Sequence, residues 1–353
     1  MLTLQCLREE RDRVLDALAK RHIDAIATVD HILELDSARR ATQTELDKVL
    51  AESNSLSRQI GGLMREGKNA EAEEIKAKTA GLKAETGELK DAMDAAEHEL
   101  QTLLVSLPNT PCDLVAKGKT PDDNVEVFRS AEPQAAGGAA KPHWDLAKEH
   151  DLIDFDLGAK VTGAGFPFYK GKGAKFQRGL VRFFLEKADD AGYTEFIPPH
   201  MVNADSGYGT GQLPDKEGQM YHMQEDNLYM IPTAEVPLTN IYRDVVLQAA
   251  DLPQKICGYT PCFRREAGSY GKDVRGLNRL HQFDKVEIVQ VTHPDQSYTT
   301  LDTMVEHVKG LLEGLELPYR VLRLCGGDMG SVSYTHLRAH ETLRYLVCRL
   351  LLE

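Results

Sequence analysis

What the chain does not contain narrows its class before any motif is read. Its six cysteines, at positions 6, 112, 257, 262, 325 and 348, form no C-x-x-C pair and no zinc-ligand spacing. That pattern suits free thiols in a reducing compartment, and no disulfide is expected. No stretch is apolar enough for a membrane span, and Arg8, Glu9, Glu10 and Arg11 stand where a signal peptide needs its apolar run. A cytoplasmic protein without a membrane partner is therefore expected. Basic residues are outnumbered, 42 Lys and Arg against 55 Asp and Glu, for a net charge of −13. Such a balance works against indiscriminate nucleic-acid binding, because sequence-independent affinity comes from cations neutralising phosphates. An RNA partner would have to be met locally and by shape. The glycines of GAGFPFYKGKGAKF carry neither G-x-x-x-x-G-K-[ST] nor a strand, G-x-G-x-x-G and helix in succession, so they are not read as a phosphate loop. His336 and His340 lie four apart, yet no H-E-x-x-H accompanies them, and they are not read as metal ligands.

What is present fits a soluble chain of 353 residues, 42% hydrophobic and 27% charged, with room for two domains and a sizeable core. From Ile32 a heptad seam runs through Leu35, Arg39, Thr42, Leu46, Val49, Ser53, Leu56, Ile60 and Leu63. A second follows through Ala72, Ile75, Thr79, Leu82, Thr86, Leu89, Met93, Ala96, Leu100 and Leu103. Steps alternate between three and four residues, which predicts an antiparallel coiled-coil hairpin over about 30–105, turning at Gly61, Gly62, Gly67 and Asn69. Each helix of about 31 residues would span roughly 47 Å. Seams of this kind serve structural or oligomerisation coiled coils as readily as they serve RNA binding. Residues 30–103 carry 16 acidic and 10 basic side chains, a balance typical of solvated helix faces.

Beyond the arm, Pro108 and Pro111 and the Gly- and Ala-rich stretch AEPQAAGGAAKPHW predict a linker over 111–140, leaving 1–110 as the arm domain. A second domain should begin near Lys141, with Trp144, the only tryptophan, as a core anchor. An amphipathic helix over 174–191 places Phe176, Leu180, Phe183, Phe184 and Lys187 near one face, and Gly192 ends it before a strand at 193–197. Thr233-Ala234-Glu235 falls between a strand at 228–231 and a helix from Glu235, which makes Thr233 a helix-cap candidate.

The most informative stretch is 256–291, ICGYTPCFRREAGSYGKDVRGLNRLHQFDKVEIVQV. Two β-rich runs, 256–263 and 281–291, flank a loop dense in Gly, Lys and Arg, predicting an antiparallel hairpin with a long tip. Alternation places Arg264 and Glu266 on one face, and Phe283, Lys285 and Glu287 on a face of the returning strand. At ~3.4 Å per residue, Phe283 and Glu287 lie roughly 14 Å apart, far enough for a bound adenylate to meet the ring at one end and the carboxylate at the other. An exposed hairpin with ordinary surface charges would show the same loop composition.

Taken whole, FRREAG, a basic loop and then RGLNRLHQFDKVEI resembles motif 2 of class II aminoacyl-tRNA synthetases in the form used by seryl-tRNA synthetases. The string T-A-E-x-P-L resembles that family's serine-binding segment, and the helix and strand over 174–197 resemble motif 1, its dimer-forming element. The resemblance implies an α+β fold: an N-terminal antiparallel helical arm, and an antiparallel β-sheet domain flanked by helices over 141–330. It implies ATP as substrate, with Mg2+, serine and tRNA(Ser) as further partners, tRNA(Sec) left open, and a homodimer. Serine would be bound by Thr233, Ala234, Glu235 and Glu287, and ATP by Arg264, Arg265, Glu266, Arg279 and Phe283. Arg264 would carry the catalytic contact to the α-phosphate. Arg39, Arg40, Lys76 and Lys83 are the candidates for the tRNA-facing side of the arm, and the 266–279 loop for the acceptor end. Departure from the family pattern at Ser331 implies a catalytic domain ending before motif 3, the magnesium ligands lacking, with residues 331–353 an unrelated tail and activity impaired. A non-catalytic amino-acid-binding relative and a coiled-coil interaction protein are the alternatives.

Overall fold

The computed structural model describes residues 2–131, 141–215, 218–266, 275–330 and 337–338. Within them the chain divides into two compact units, one within 2–123 and 325–330, the other within 124–324 and 337–338.

The first unit is helical. Two short helices, α1 (Leu4–Glu9) and α2 (Arg11–Lys20), precede the long pair α3 (Ile26–Arg65) and α4 (Asn69–Ser106). Every seam position named above is buried or half-buried, because a repeat of 3.5 residues keeps one stripe of each helix facing its partner. The helices are longer than the seams predict, at 40 and 38 residues, or roughly 60 Å at ~1.5 Å per residue. Gly61 and Gly62 lie inside α3 rather than at the turn. The reversal is made by Gly67 in the left-handed region, φ +75, where a Cβ would be strained. At the base, Leu7, Val14, Leu18, Val29, Ile32, Leu100 and Leu107 form the core.

Near that base the buried Arg21 donates to the carbonyls of Asn109, Met329 and Gly330 at 2.7, 3.1 and 2.9 Å. Residues 325–330, expected in the second domain, therefore pack with the arm. Gly326 permits this, since a Cβ there would lie 2.0 Å from the Lys20 carbonyl oxygen.

The second unit is α+β. Its elements are β1 (Val125–Arg129), α5 (His143–Glu149), β2 (Ile153–Asp154), α6 (Phe155–Val161), β3 (Phe168–Tyr169), α7 (Gly171–Asp190), β4 (Thr194–Glu195), β5 (Met201–Val202), α8 (Ala204–Gly209), β6 (His222–Met223) and β7 (Leu228–Met230). After these come α9 (Glu235–Asn240), β8 (Gln254–Phe263), β9 (Gln282–Val291), α10 (Ser297–Gly314), β10 (Arg320–Arg323) and β11 (Leu337–Arg338). They form four small sheets, ordered β1-β10-β11, β2-β3, β4-β8-β9 and β5-β7-β6. All pairings are antiparallel except β4 on β8, which refines the all-antiparallel expectation.

Two further expectations are corrected. The span 111–140 is not wholly linker, because β1 lies in it, pairs with β10 and sets Phe128 against the Tyr319 ring at 5.7 Å. Residues 132–140 of that span lie outside the described residues. Trp144 is half-exposed rather than a core anchor, with Arg275 4.8 Å over its ring. The neighbouring His143 holds the Leu277 amide at 2.8 Å, so α5 braces the returning limb of the motif-2-like loop. The tip itself, 267–274, lies outside the described residues, as do 331–336 and 339–353 with His336 and His340.

Candidate active site

The β8–β9 hairpin forms as predicted, and its register puts Gly258 opposite Glu287, Thr260 opposite Lys285 and Cys262 opposite Phe283. Alternation leaves Phe283, Lys285 and Glu287 on one face. Gly258 admits close packing on that face, since a Cβ would lie 2.7 Å from the Phe196 carbonyl oxygen. The expectation that Arg264 and Glu266 share a strand face is not met. Pairing ends at Phe263 with Gln282, and Glu266 takes φ +47, a turn that breaks the alternation.

One backbone bond delivers the second half of the site. The Phe263 amide donates to the Ile231 carbonyl at 2.8 Å, which carries Pro232 and Thr233 alongside the hairpin. Thr233 then does two things. Its Oγ1 accepts from the Glu235 amide at 3.2 Å, one residue ahead of the cap position itself, which is Ala234 rather than the expected Thr233, and donates to Glu287 Oε2 at 2.7 Å. Lys285 Nζ completes the group, 3.0 Å from Thr233 Oγ1 and 2.6 Å from Glu287 Oε2.

At the other end, the Arg264 guanidinium lies 5.0 Å from the Phe283 ring centroid and donates through Nε to the Pro232 carbonyl at 3.3 Å. Glu266 receives Arg279 Nη1 at 2.9 Å. Arg265 is exposed, and its amide donates to the Gln219 carbonyl at 2.8 Å. Ala234 is fully buried against Leu238 and Ile256, so its methyl serves the core rather than the pocket. Glu235 stays solvent-accessible although protein atoms crowd it. That crowding, followed by the charge of Glu287, raises its carboxyl above the ordinary range, while Lys285 and Arg264 oppose the rise. Arg264, Glu235, Lys285 and Glu287 thus form a balanced set of two cations and two carboxylates.

Sequence reasoning gave no role to His281, which fixes the mouth of the hairpin. Its carbonyl accepts the Arg264 amide at 2.9 Å and its amide donates to the Gly165 carbonyl at 2.9 Å. Its ring stacks on Phe166 at 5.2 Å, and Nδ1 meets the Tyr221 hydroxyl at 2.8 Å. The glycine-rich GAGFPF segment is therefore a brace for this corner: Gly165, φ +84, allows the approach, since a Cβ would lie 2.5 Å from the His281 ring. A stacked aromatic pair so far apart in sequence leaves no local signal.

The tRNA-side candidates separate. Arg39 lies in the seam, with Asp36 at 3.2 Å and Glu97 at 3.7 Å, and Arg40 meets Asp36 at 3.2 Å. Lys76 and Lys83 are exposed, Lys76 pairing with Glu73 at 2.5 Å. Among the described residues no group of three or more His, Cys, Asp or Glu is placed to hold a metal ion. Glu266 is engaged by Arg279 and Glu287 by Lys285, so as arranged these carboxylates do not form a magnesium seat. A cleft of about 700 Å³ runs along α7 against Glu195 and Tyr259, on the strand face opposite Thr260 and Glu287.

Known proteins carry the same combination. Residues 1–111 match the seryl-tRNA synthetase N-terminal domain, and residues 219–344 match the tRNA synthetase class II core domain (G, H, P, S and T). The serine–tRNA ligase of Salinibacter ruber is 50% identical over 330 residues, 94% of this chain and 77% of that protein. The chain belongs to the seryl-tRNA synthetase family. A second family member, the serine–tRNA ligase of Synechococcus sp. (strain JA-3-3Ab), is 45% identical over 333 residues, 94% of this chain and 76% of that one. The crystal structure of seryl-tRNA synthetase from Pyrococcus horikoshii complexed with ATP superposes with a TM-score of 0.83 at 32% identity, covering 95% of this chain and 79% of that chain. The cytoplasmic serine–tRNA ligase of Naegleria fowleri, at 22% identity and a TM-score of 0.79, shares the fold. The helical arm and class II core inferred from the sequence are thus those of this family.

Proposed function

We propose that the chain acts as a serine–tRNA ligase, activating serine with ATP and transferring it to tRNA(Ser). The observation that supports this is the 2.7 Å bond between Thr233 and Glu287, which brings the T-A-E string and the motif-2-like hairpin together in one corner. Serine would place its ammonium there, and its carboxylate oxygen would attack the α-phosphorus of ATP as the bond to pyrophosphate breaks. Arg264 would stabilise the charge on the α-phosphate, Phe283 would stack the adenine and Glu266 would take the adenine amino group. Arg264 lies over one face of the Phe283 ring, and moving off that face would free the guanidinium for the phosphate. A hydroxyl of the terminal tRNA ribose would then attack the seryl carbonyl and release AMP. These steps need positioning and charge rather than a protein nucleophile. Magnesium, if used, would add phosphate charge neutralisation, and no step here depends on it.

The arm would contact tRNA through phosphates, with Lys76 and Lys83 available on its surface. A homodimer would form through α7 and the adjoining segment, where Phe176 and Ile197 are exposed. Arg264→Ala is expected to lower serine-dependent ATP–pyrophosphate exchange by at least about tenfold, the cost of losing a charge-assisted phosphate contact. Near-normal exchange in that variant would overturn the reading.

A further inference from the structure

Lys285 is given no part in the reaction outlined above, yet it sits on the atoms assigned to the substrate's ammonium. Its Nζ is 2.6 Å from Glu287 Oε2 and 3.0 Å from Thr233 Oγ1. Glu287 Oε2 already receives the Thr233 hydroxyl, and Thr233 Oγ1 already accepts from the Glu235 amide. Thr233 Oγ1 and Glu287 Oε2 are therefore both engaged, and among the described residues Lys285 is the one cation on them. The side chains of Lys285 and Glu287 are 34% and 18% exposed, which sets the pair apart from a fully solvated surface ion pair. They stand two residues apart on one face of β9, so the lysine is tethered beside the carboxylate at high effective concentration.

We propose that Lys285 is a specificity-determining residue that fills the ammonium seat until a ligand bearing its own ammonium displaces it. The inference rests on the assignment of Thr233 and Glu287 to the amino-acid ammonium. Lysine and substrate both present an N–H-rich cation, so the exchange replaces one charge-assisted pair by another and yields little net binding from the ammonium alone. Selection then falls on the ligand's carboxylate and hydroxyl. The apparent dissociation constant of an ammonium ligand is its intrinsic value divided by the fraction of protein in which Lys285 is off the seat. A ligand lacking the ammonium leaves Lys285 in place and meets a neutralised Glu287.

The two ligand types should therefore respond in opposite directions when the lysine cation is removed. Calorimetric binding of ethanolamine, which has the ammonium and hydroxyl but no carboxylate, should tighten at least about fivefold in Lys285→Met. Binding of 3-hydroxypropanoate, which has the carboxylate and hydroxyl but no ammonium, should weaken, because Glu287 then faces it without its cation. In exchange assays the KM for serine should fall while kcat changes by less than about twofold. Lys285→Gln should reproduce the pattern if the methionine packs poorly. Weakening of both ligands together, or no change in either, would refute the proposal and leave Lys285 as a support for Glu287. A wild-type protein without serine-dependent exchange, but with the opposite shifts in ligand binding, would remove the ligase reading and leave the role of Lys285 standing.

Discussion

Two carboxylate clusters in this chain use the same chemistry to opposite ends. In the arm, Asp36 is 1% exposed and meets Arg39 at 3.2 Å, Arg40 at 3.2 Å and Arg8 at 3.6 Å. On the hairpin, Glu287 is 18% exposed and meets one lysine and one hydroxyl. A carboxylate sealed by packing and outnumbered by cations has no vacancy for a ligand. One that is partly open, and neutralised by a flexible single cation, can exchange that cation. Burial and the ratio of partners, more than the residue types, therefore separate the arm's framework from the candidate site. A third acid sharpens the point: Asp284, on the reverse face of β9, receives only the neutral donors Tyr259, at 2.5 Å, and Gln177.

The largest expected effect would break the sealed cluster. Asp36→Ala should destabilise the arm by about 3 kcal/mol, at the lower end for a broken buried ion pair because the stranded arginines keep some solvent. Urea unfolding followed by far-UV circular dichroism would measure it, and a change below about 0.5 kcal/mol would erase the contrast with the hairpin. A smaller effect is expected at the arm's exposed cations. The double variant Lys76→Ala, Lys83→Ala should shift stability by no more than about 0.5 kcal/mol, while tRNA(Ser) affinity falls a few-fold and its salt dependence becomes shallower. Unchanged affinity across a salt titration would move the tRNA face elsewhere.

The smallest effect concerns pH. Burial is the main cause that lifts the Asp284 carboxyl above its ordinary value of 3.8, with the Tyr259 and Gln177 hydrogen bonds opposing it. Across the interval above that value the folded chain holds a proton that the unfolded chain has released. Stability contributed by this group therefore declines as pH rises through the interval. Asp284→Asn, which keeps an acceptor for Tyr259, should flatten that slope in urea midpoints measured from about pH 4 upward. An unaltered slope would assign the pH dependence to other groups.

The heptad seams were fully legible because a 3.5-residue repeat is a local pattern, and each of its positions is at least partly covered. Helix ends were not, since Gly61 and Gly62 cost only about 1 kcal/mol each in a helix, which interhelical packing offsets. The hairpin strands came within two residues of their observed ends, but not the conformation of Glu266, because where strand pairing stops depends on what packs around it. Thr233 and Glu287 were each named, yet nothing local to either says that they touch across 54 residues. The same holds for His281 on Phe166 and for β1, which a reading by composition places in a linker.

By itself, then, the sequence determined the family, the helical arm and the identities of the residues around the candidate site. Periodicity and a long motif are properties of neighbouring residues along the chain. Only the tertiary structure decided which charges are available. It committed Arg39 and Arg40 to Asp36, turned Ala234 into the core and placed Lys285 against both Thr233 and Glu287. Availability depends on burial and on partners distant in sequence, and those are set only when the chain has folded.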